Sequence, residues 1–141
     1  MSKRITLKDW NKIKWAIGWH FGKRDEYANF DHTDTSEGKF EALVERDETG
    51  EVIAYIVYQY NPESCIEGLR SGVMRNHRGK GLSKKLYKRL LQIARKRGVP
   101  YRSYTHFTNH KSINSHLAAG MRIYKTDQGG GWVYFSSATD S

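Results

Sequence analysis

Arg78-Gly79-Lys80-Gly81-Leu82-Ser83 is the segment of this chain whose residue types and spacing best suit a chemical task. It separates a strand expected to end at Met74 from a helix expected over Leu82 to Arg97. The first backbone N–H groups of a helix have no intrahelical partner and sit at the positive end of the macrodipole. Glycines at 79 and 81 allow that backbone to come close to a ligand phosphate. The segment lacks the three glycines of G-x-G-x-x-G and does not match G-x-x-x-x-G-K-[ST]. The phosphate it fits therefore belongs neither to a dinucleotide in a Rossmann-type turn nor to a P-loop nucleotide.

A second block follows thirty-one residues after Arg78: Asn109-His110-Lys111-Ser112-Ile113-Asn114-Ser115-His116-Leu117-Ala118-Ala119-Gly120-Met121. Together the blocks resemble the GNAT N-acetyltransferase superfamily. Arg78-x-x-Gly81-x-Ser83 is similar to its acyl-CoA signature, [QR]-x-x-G-x-[GA]. The later block is similar to its second motif, an Asn, a short helix, then Gly and a large apolar residue. The resemblance covers Ser64 to Tyr124. It implies an α/β single-domain fold, with a central mixed sheet of about six to seven strands, two parallel strands splaying apart, and about four helices. It also implies acetyl-CoA as cosubstrate.

The resemblance places the pyrophosphate on the backbone from Arg78 through Gly79, Lys80, Gly81 and Leu82 to Ser83. Ser83 departs from the usual Gly or Ala, and its hydroxyl either adds a phosphate contact or caps the helix. Val73 and Met74 would end the strand along which the pantetheine arm lies. Asn109 would reach that arm, or serve as a plain helix cap. Many members carry a Tyr seven residues after this Asn, as the acid toward the leaving thiolate; here the position is His116. Either an imidazolium donates that proton, or the acid is absent and water supplies it. Glu67, eleven residues ahead of Arg78, matches the place of a glutamate base in histone-type members. Burial would raise its pKa and nearby cations would lower it; the alternative role is a charge pair.

Charge is divided unevenly along the chain. Residues 1–67 hold 9 Lys/Arg and 13 Asp/Glu, whereas residues 68–126 hold 15 Lys/Arg and no acid. A polyanion should meet the second half. Coenzyme A carries far fewer charges than that half can match, which leaves room for a nucleic-acid or ribosomal neighbour; a basic solvated face is the plain alternative. The acids from Asp25 to Glu51 form a wall suited to a cationic amine: a small amine, a polyamine or a protein amine. The two halves thus point to different acceptors, an amine or a nucleic-acid target.

These groups need a scaffold. Ile5 to Thr6 reads as a minimal first strand, and Thr6 as the N-cap of an amphipathic helix bearing Leu7, Trp10, Ile13, Ile17 and Phe21. Trp15 and Trp19 form a second pair, for packing or for lining a cleft. Arg24 to Gly38 reads as a short helix and a loop. Strands are expected at Phe40 to Glu45 and Glu51 to Tyr60, joined by an Asp47-Glu48-Thr49-Gly50 turn, then at Ser64 to Met74. The helix from Leu82 turns Leu86, Leu90, Ile93 and Ala94 inward and stops at Gly98. A strand at Tyr101 to Phe107, a helix at Lys111 to Ala119, and strands at Met121 to Lys125 and Trp132 to Phe135 complete one domain over residues 1–141.

No apolar run is long enough to span a bilayer, and the first ten residues lack a signal-peptide core. A cytoplasmic protein, monomer or homodimer, with no membrane partner is expected. Cys65 is the single cysteine; it excludes an internal disulfide and reads as an apolar strand residue. His106 and His110 do not share a helix face, so no metal site is expected.

Overall fold

The computed structural model describes residues 5, 6, 8, 9, 11–13, 15, 16 and 39–137. Among the described residues, six strands form one mixed sheet in the order β1-β2-β3-β4-β6-β5. They are β1 (Lys39–Arg46), β2 (Val52–Tyr60), β3 (Ile66–Val73), β4 (Tyr101–His106), β5 (Arg122–Asp127) and β6 (Trp132–Ser136). The helices are α1 (Leu82–Arg97) and α2 (His110–Ala118), with a 3-10 turn at Arg75–His77. Residues 8, 9, 11–13, 15 and 16 are also helical. The expected segment from Arg24 to Gly38 and Trp19 lie outside the described residues.

The expected first strand is not present at Ile5 and Thr6. Instead Thr6 Oγ1 accepts from the Asp9 N–H at 3.1 Å while Asp9 Oδ2 accepts from the Thr6 N–H at 2.9 Å. This reciprocal cap starts the N-terminal helical residues. Arg46 of β1 closes on the same carboxylate, its Nη2 2.8 Å from Oδ2. That guanidinium holds the Asp9 pKa down at about 2, against the opposing effect of burial. Ile13 and Ala16 then cover Ala42, Val44, Val52, Tyr55 and Val57 on one face of the sheet.

The other face carries α1. Its Leu86, Leu90 and Ala94 are buried against Ile56, Tyr58, Ile66, Tyr101 and Phe135, as the helical spacing requires. Gly98, at φ 73, ends the helix in the left-handed conformation, its N–H bonded to the Arg95 carbonyl at 3.2 Å. On the same face of β1, Glu41 and Glu45 meet the basic side of α1. Glu45 pairs with Arg89 at 2.7 Å and Lys85 at 3.0 Å, and Glu41 with Arg97 at 2.9 Å. Lys12 pairs with Glu51 in turn. These three acids of the expected wall are therefore paired with cations of the same chain, Glu45 buried, Glu41 partly buried and Glu51 at the surface. Cys65 is partly buried and stands one residue ahead of β3, not within it.

Two features of β3 shape the site. Against β4 it pairs in parallel for only two rungs, Ile66↔Tyr101 and Glu67↔Arg102. Against β2 it runs antiparallel but slips by one residue, Tyr58 facing Gly68 and Val57 facing Arg70. Leu69 is the extra residue of this bulge. A bulge bends its strand and sharpens the twist, and β3 and β4 part beyond the bulge. The wedge between them is the candidate site.

Candidate active site

The parted strands open a cleft of about 1200 Å³, lined by β3, β4, α2 and the loop into α1. At its outer end the loop runs through Arg78, Gly79, Gly81, Leu82 and Ser83. Gly79 and Gly81 have φ of 80 and 75, the left-handed conformation that glycine adopts without strain. A Cβ at either position would meet nothing within 4 Å. The backbone there is bare and faces open space. Gly81 is the N-cap of α1 and no side chain caps its first turn. An anion-binding terminus has this form. Arg78 braces the loop, its Nε donating to the Val73 carbonyl at 3.1 Å.

The floor is polar although it adjoins the core. Ser71 of β3 meets the Tyr87 hydroxyl of α1 at 3.3 Å. His116 of α2 is 1 % exposed. It is stacked on Phe135 at 4.4 Å and packed against Tyr87 at 4.3 Å. Its Nδ1 lies 2.6 Å from the Ser112 carbonyl oxygen and its Nε2 3.1 Å from Ser103 Oγ. A carbonyl only accepts, so Nδ1 carries the proton and Nε2 accepts from the serine hydroxyl. Burial lowers the His116 pKa, although the bond to Ser112 opposes it, so the ring is neutral. Desolvation likewise raises Tyr87 and keeps its phenol protonated. An imidazole in this state accepts at Nε2; to act as the expected acid the buried ring would first have to take up a proton.

The mouth on the face opposite α1 is aromatic, with Tyr104, His106 and Trp132 in its lining. Tyr104 and His106 each meet the Trp132 ring near a right angle, at 5.4 and 5.5 Å.

Most of the residues singled out in the sequence converge here. Val73, Arg78, Gly79, Gly81, Leu82, Ser83, Asn109 and His116 line the cleft; Met74, Lys80 and Glu67 do not. Met74 gives its N–H to the Ile53 carbonyl at 2.8 Å and packs into the core beneath the N-terminal helical residues. Lys80 is exposed at the crest of the loop. Glu67 is exposed on the last paired rung, beside Arg102, at the apex of the wedge. Asn109 caps α2, its Oδ1 accepting from the Ser112 N–H at 3.2 Å. Sequence reasoning missed Ser71, Tyr87, Ser103 and the aromatic mouth. Hydroxyl groups at the inward positions of the β4 alternation, Ser103 and Thr105, were the available signal.

Residues 5–121 match the sequence profile of the acetyltransferase (GNAT) family. The chain belongs to that family. No curated protein sequence matches it. Among solved structures it is similar to the GNAT domain of S. lividans PAT, at TM-score 0.70 and 20% identity, covering 95% of this chain and 87% of that one. It is similar to a spermidine N-acetyltransferase of Vibrio cholerae at TM-score 0.70 and 12% identity, covering 95% and 92%. A Bacillus anthracis str. Ames protein of the same fold, solved with acetyl coenzyme A, aligns at TM-score 0.66 and 16% identity over 79% and 70%. The mixed sheet with two parting parallel strands is the GNAT arrangement.

Proposed function

We propose that this GNAT protein transfers an acetyl group from acetyl-CoA to a primary amine, by direct attack in a ternary complex. One observation carries the reading. The cleft joins a bare, phosphate-accepting backbone at Gly79 and Gly81 to the apex where β3 and β4 part. The pyrophosphate would take the N–H groups between Arg78 and Ser83. The pantetheine arm would then follow the edge of β3 past Val73 toward Glu67, with Asn109 beside it. Beyond Glu67↔Arg102 that edge has no ladder partner in β4. A backbone N–H there would polarise the thioester oxygen.

The amine nitrogen attacks the thioester carbonyl carbon, the C–S bond breaks and the amide forms. The nitrogen's surplus proton goes to a base, and the thiolate takes one from the medium. Glu67 is the proposed base: it stands at the apex on the face opposite α1, reaching the amine through water. Its pairing with Arg102 is the competing role. His116, neutral and accepting at Nε2, holds Ser103 in place, so water supplies the thiolate's proton.

Titration calorimetry with acetyl-CoA and desulfo-CoA tests the cofactor. Low-micromolar binding of both is expected, followed by thiol release on adding amines. Absence of acyl-CoA binding would overturn the reading.

A further inference from the structure

The face of β4, β6 and β5 that points away from α1 carries a regular array of side chains. Partners across an antiparallel ladder share a face. The registers therefore set three rows side by side: Arg102↔Ser136↔Arg122, Tyr104↔Tyr134↔Lys125 and His106↔Trp132↔Asp127. The bulge on β5 adds Tyr124 to the same face, with its ring 6.3 Å from Tyr134. Trp132, Tyr104, Tyr134 and Tyr124 thus form a contiguous run, with successive centroids at 5.4, 5.8 and 6.3 Å. Cations lie on the rings: Arg102 is 5.6 Å from the Tyr124 centroid and Lys125 5.1 Å from that of Tyr134.

Trp132 and Tyr124 are 36% and 42% exposed, on a half of the sheet that the described N-terminal helical residues do not cover. Aromatic side chains at this exposure in a contiguous run mark an interaction surface. Among the described residues, the acids of the face are Glu67, beside Arg102, and Asp127, whose Oδ1 accepts from the Gly130 N–H of its own hairpin at 3.2 Å. The remaining charge is positive, in a stretch of 59 residues, 68–126, without an acid.

Flat rings in sequence, spaced by cations, match a ligand that alternates planar groups with negative charges. We propose that this face binds single-stranded nucleic acid, with bases stacked on Trp132, Tyr104, Tyr134 and Tyr124 and phosphates met by Arg102 and Lys125. Stacking on aromatic platforms beside cations is the general mode of single-strand binding. On α1, exposed Lys88 and Arg95 carry charge outside this aromatic run and serve as the comparison surface. The proposal stands whether or not the acyl-transfer reading does.

Fluorescence anisotropy with short labelled deoxy- and ribo-oligonucleotides, single-stranded and duplex, tests it on the full chain at two salt concentrations. Single strands should bind more tightly than duplex. Tyr124→Ala and Tyr134→Ala should each weaken binding by about fivefold to about a hundredfold. Lys125→Ala should reduce the salt slope by about one. Lys88→Ala with Arg95→Ala should change little. Tyr124 is exposed, so its variant tests the surface without threatening the fold, and retained acetyl-CoA binding or an unchanged melt checks each variant. No binding at low salt would overturn the proposal, as would tighter duplex binding. So would tyrosine variants that bind normally, or displacement of the oligonucleotide by polyglutamate at equal charge, which would point to an acidic protein.

Discussion

His116 Nε2 accepts from the Ser103 hydroxyl at 3.1 Å, and the bond joins α2 to β4 across the floor of the cleft. In that direction the bond needs a neutral Nε2; a protonated ring would become the donor and would have to carry its charge in the buried floor. Burial holds the His116 pKa below the ordinary value, near 6.5 for an exposed histidine. Between those two values the unfolded chain binds more protons than the fold, so stability rises with pH. The contribution is complete above about pH 6.5 and is lost as pH falls toward the folded pKa. Urea unfolding at neutral pH and near pH 5.5 should show this loss. In His116→Phe, which keeps the stack on Phe135 and cannot titrate, the loss should be smaller. Equal losses in both proteins would remove His116 as its source.

Gly81 separates the demands of the fold from those of the ligand. A side chain there must adopt φ of 75, at a cost of about 1–2 kcal/mol, yet its Cβ would touch nothing in the protein within 4 Å. Gly81→Ala should therefore fold with a modest loss of stability and lose acyl-CoA affinity well beyond that loss. Calorimetry and urea unfolding on the same preparation check both. An affinity equal to wild type would remove the loop from the cofactor site.

Gly72 and Tyr55 are coupled across β2 and β3. A Cβ at position 72 would lie 2.5 Å from the Tyr55 hydroxyl oxygen and 2.8 Å from the ring carbon that bears it. Tyr55 is fully buried and cannot step aside. Gly72→Ala should cost about 1–3 kcal/mol through overpacking. Adding Tyr55→Phe should return part of that cost, because it deletes the nearest atom and leaves the ring carbons. A double-mutant cycle by chemical denaturation measures the coupling; strictly additive losses would show that β3 shifts to make room.

Local spacing carried much of this fold. The repeat at Leu86, Leu90 and Ala94, with Gly98 behind it, marked α1 to the residue. The strand expected at Tyr101 to Phe107 is β4, which ends one residue earlier at His106. The loop from Arg78 to Ser83 was legible because its features are local: two glycines, then a helix start. The rest depended on partners far away in the chain. Glu41 and Glu45 read as part of an acidic wall, but their partners, Arg97, Lys85 and Arg89, lie on α1, beyond any periodic signal. The bulge at Leu69 changes no composition, yet it decides where β3 and β4 part. Two apolar-to-polar residues at Ile5 and Thr6 were too few to tell a strand from the approach to a helix cap.

Glu67 occupies the last rung before the strands separate, with Gln59 opposite on β2 and Arg102 opposite on β4. If it takes the acceptor's proton, Glu67→Gln should keep acyl-CoA affinity and lower the rate by roughly a hundredfold or more, within the range for a positioned base. The loss should shrink as pH rises and more of the amine arrives already deprotonated. If Glu67 only balances Arg102, the same variant should keep its rate, because an exposed pair contributes about 0–1 kcal/mol. Initial rates against amine concentration across neutral to alkaline pH, measured beside acetyl-CoA titrations, separate the two. A wild-type rate at neutral pH would assign deprotonation of the amine to solvent and leave Glu67 a surface charge at the apex.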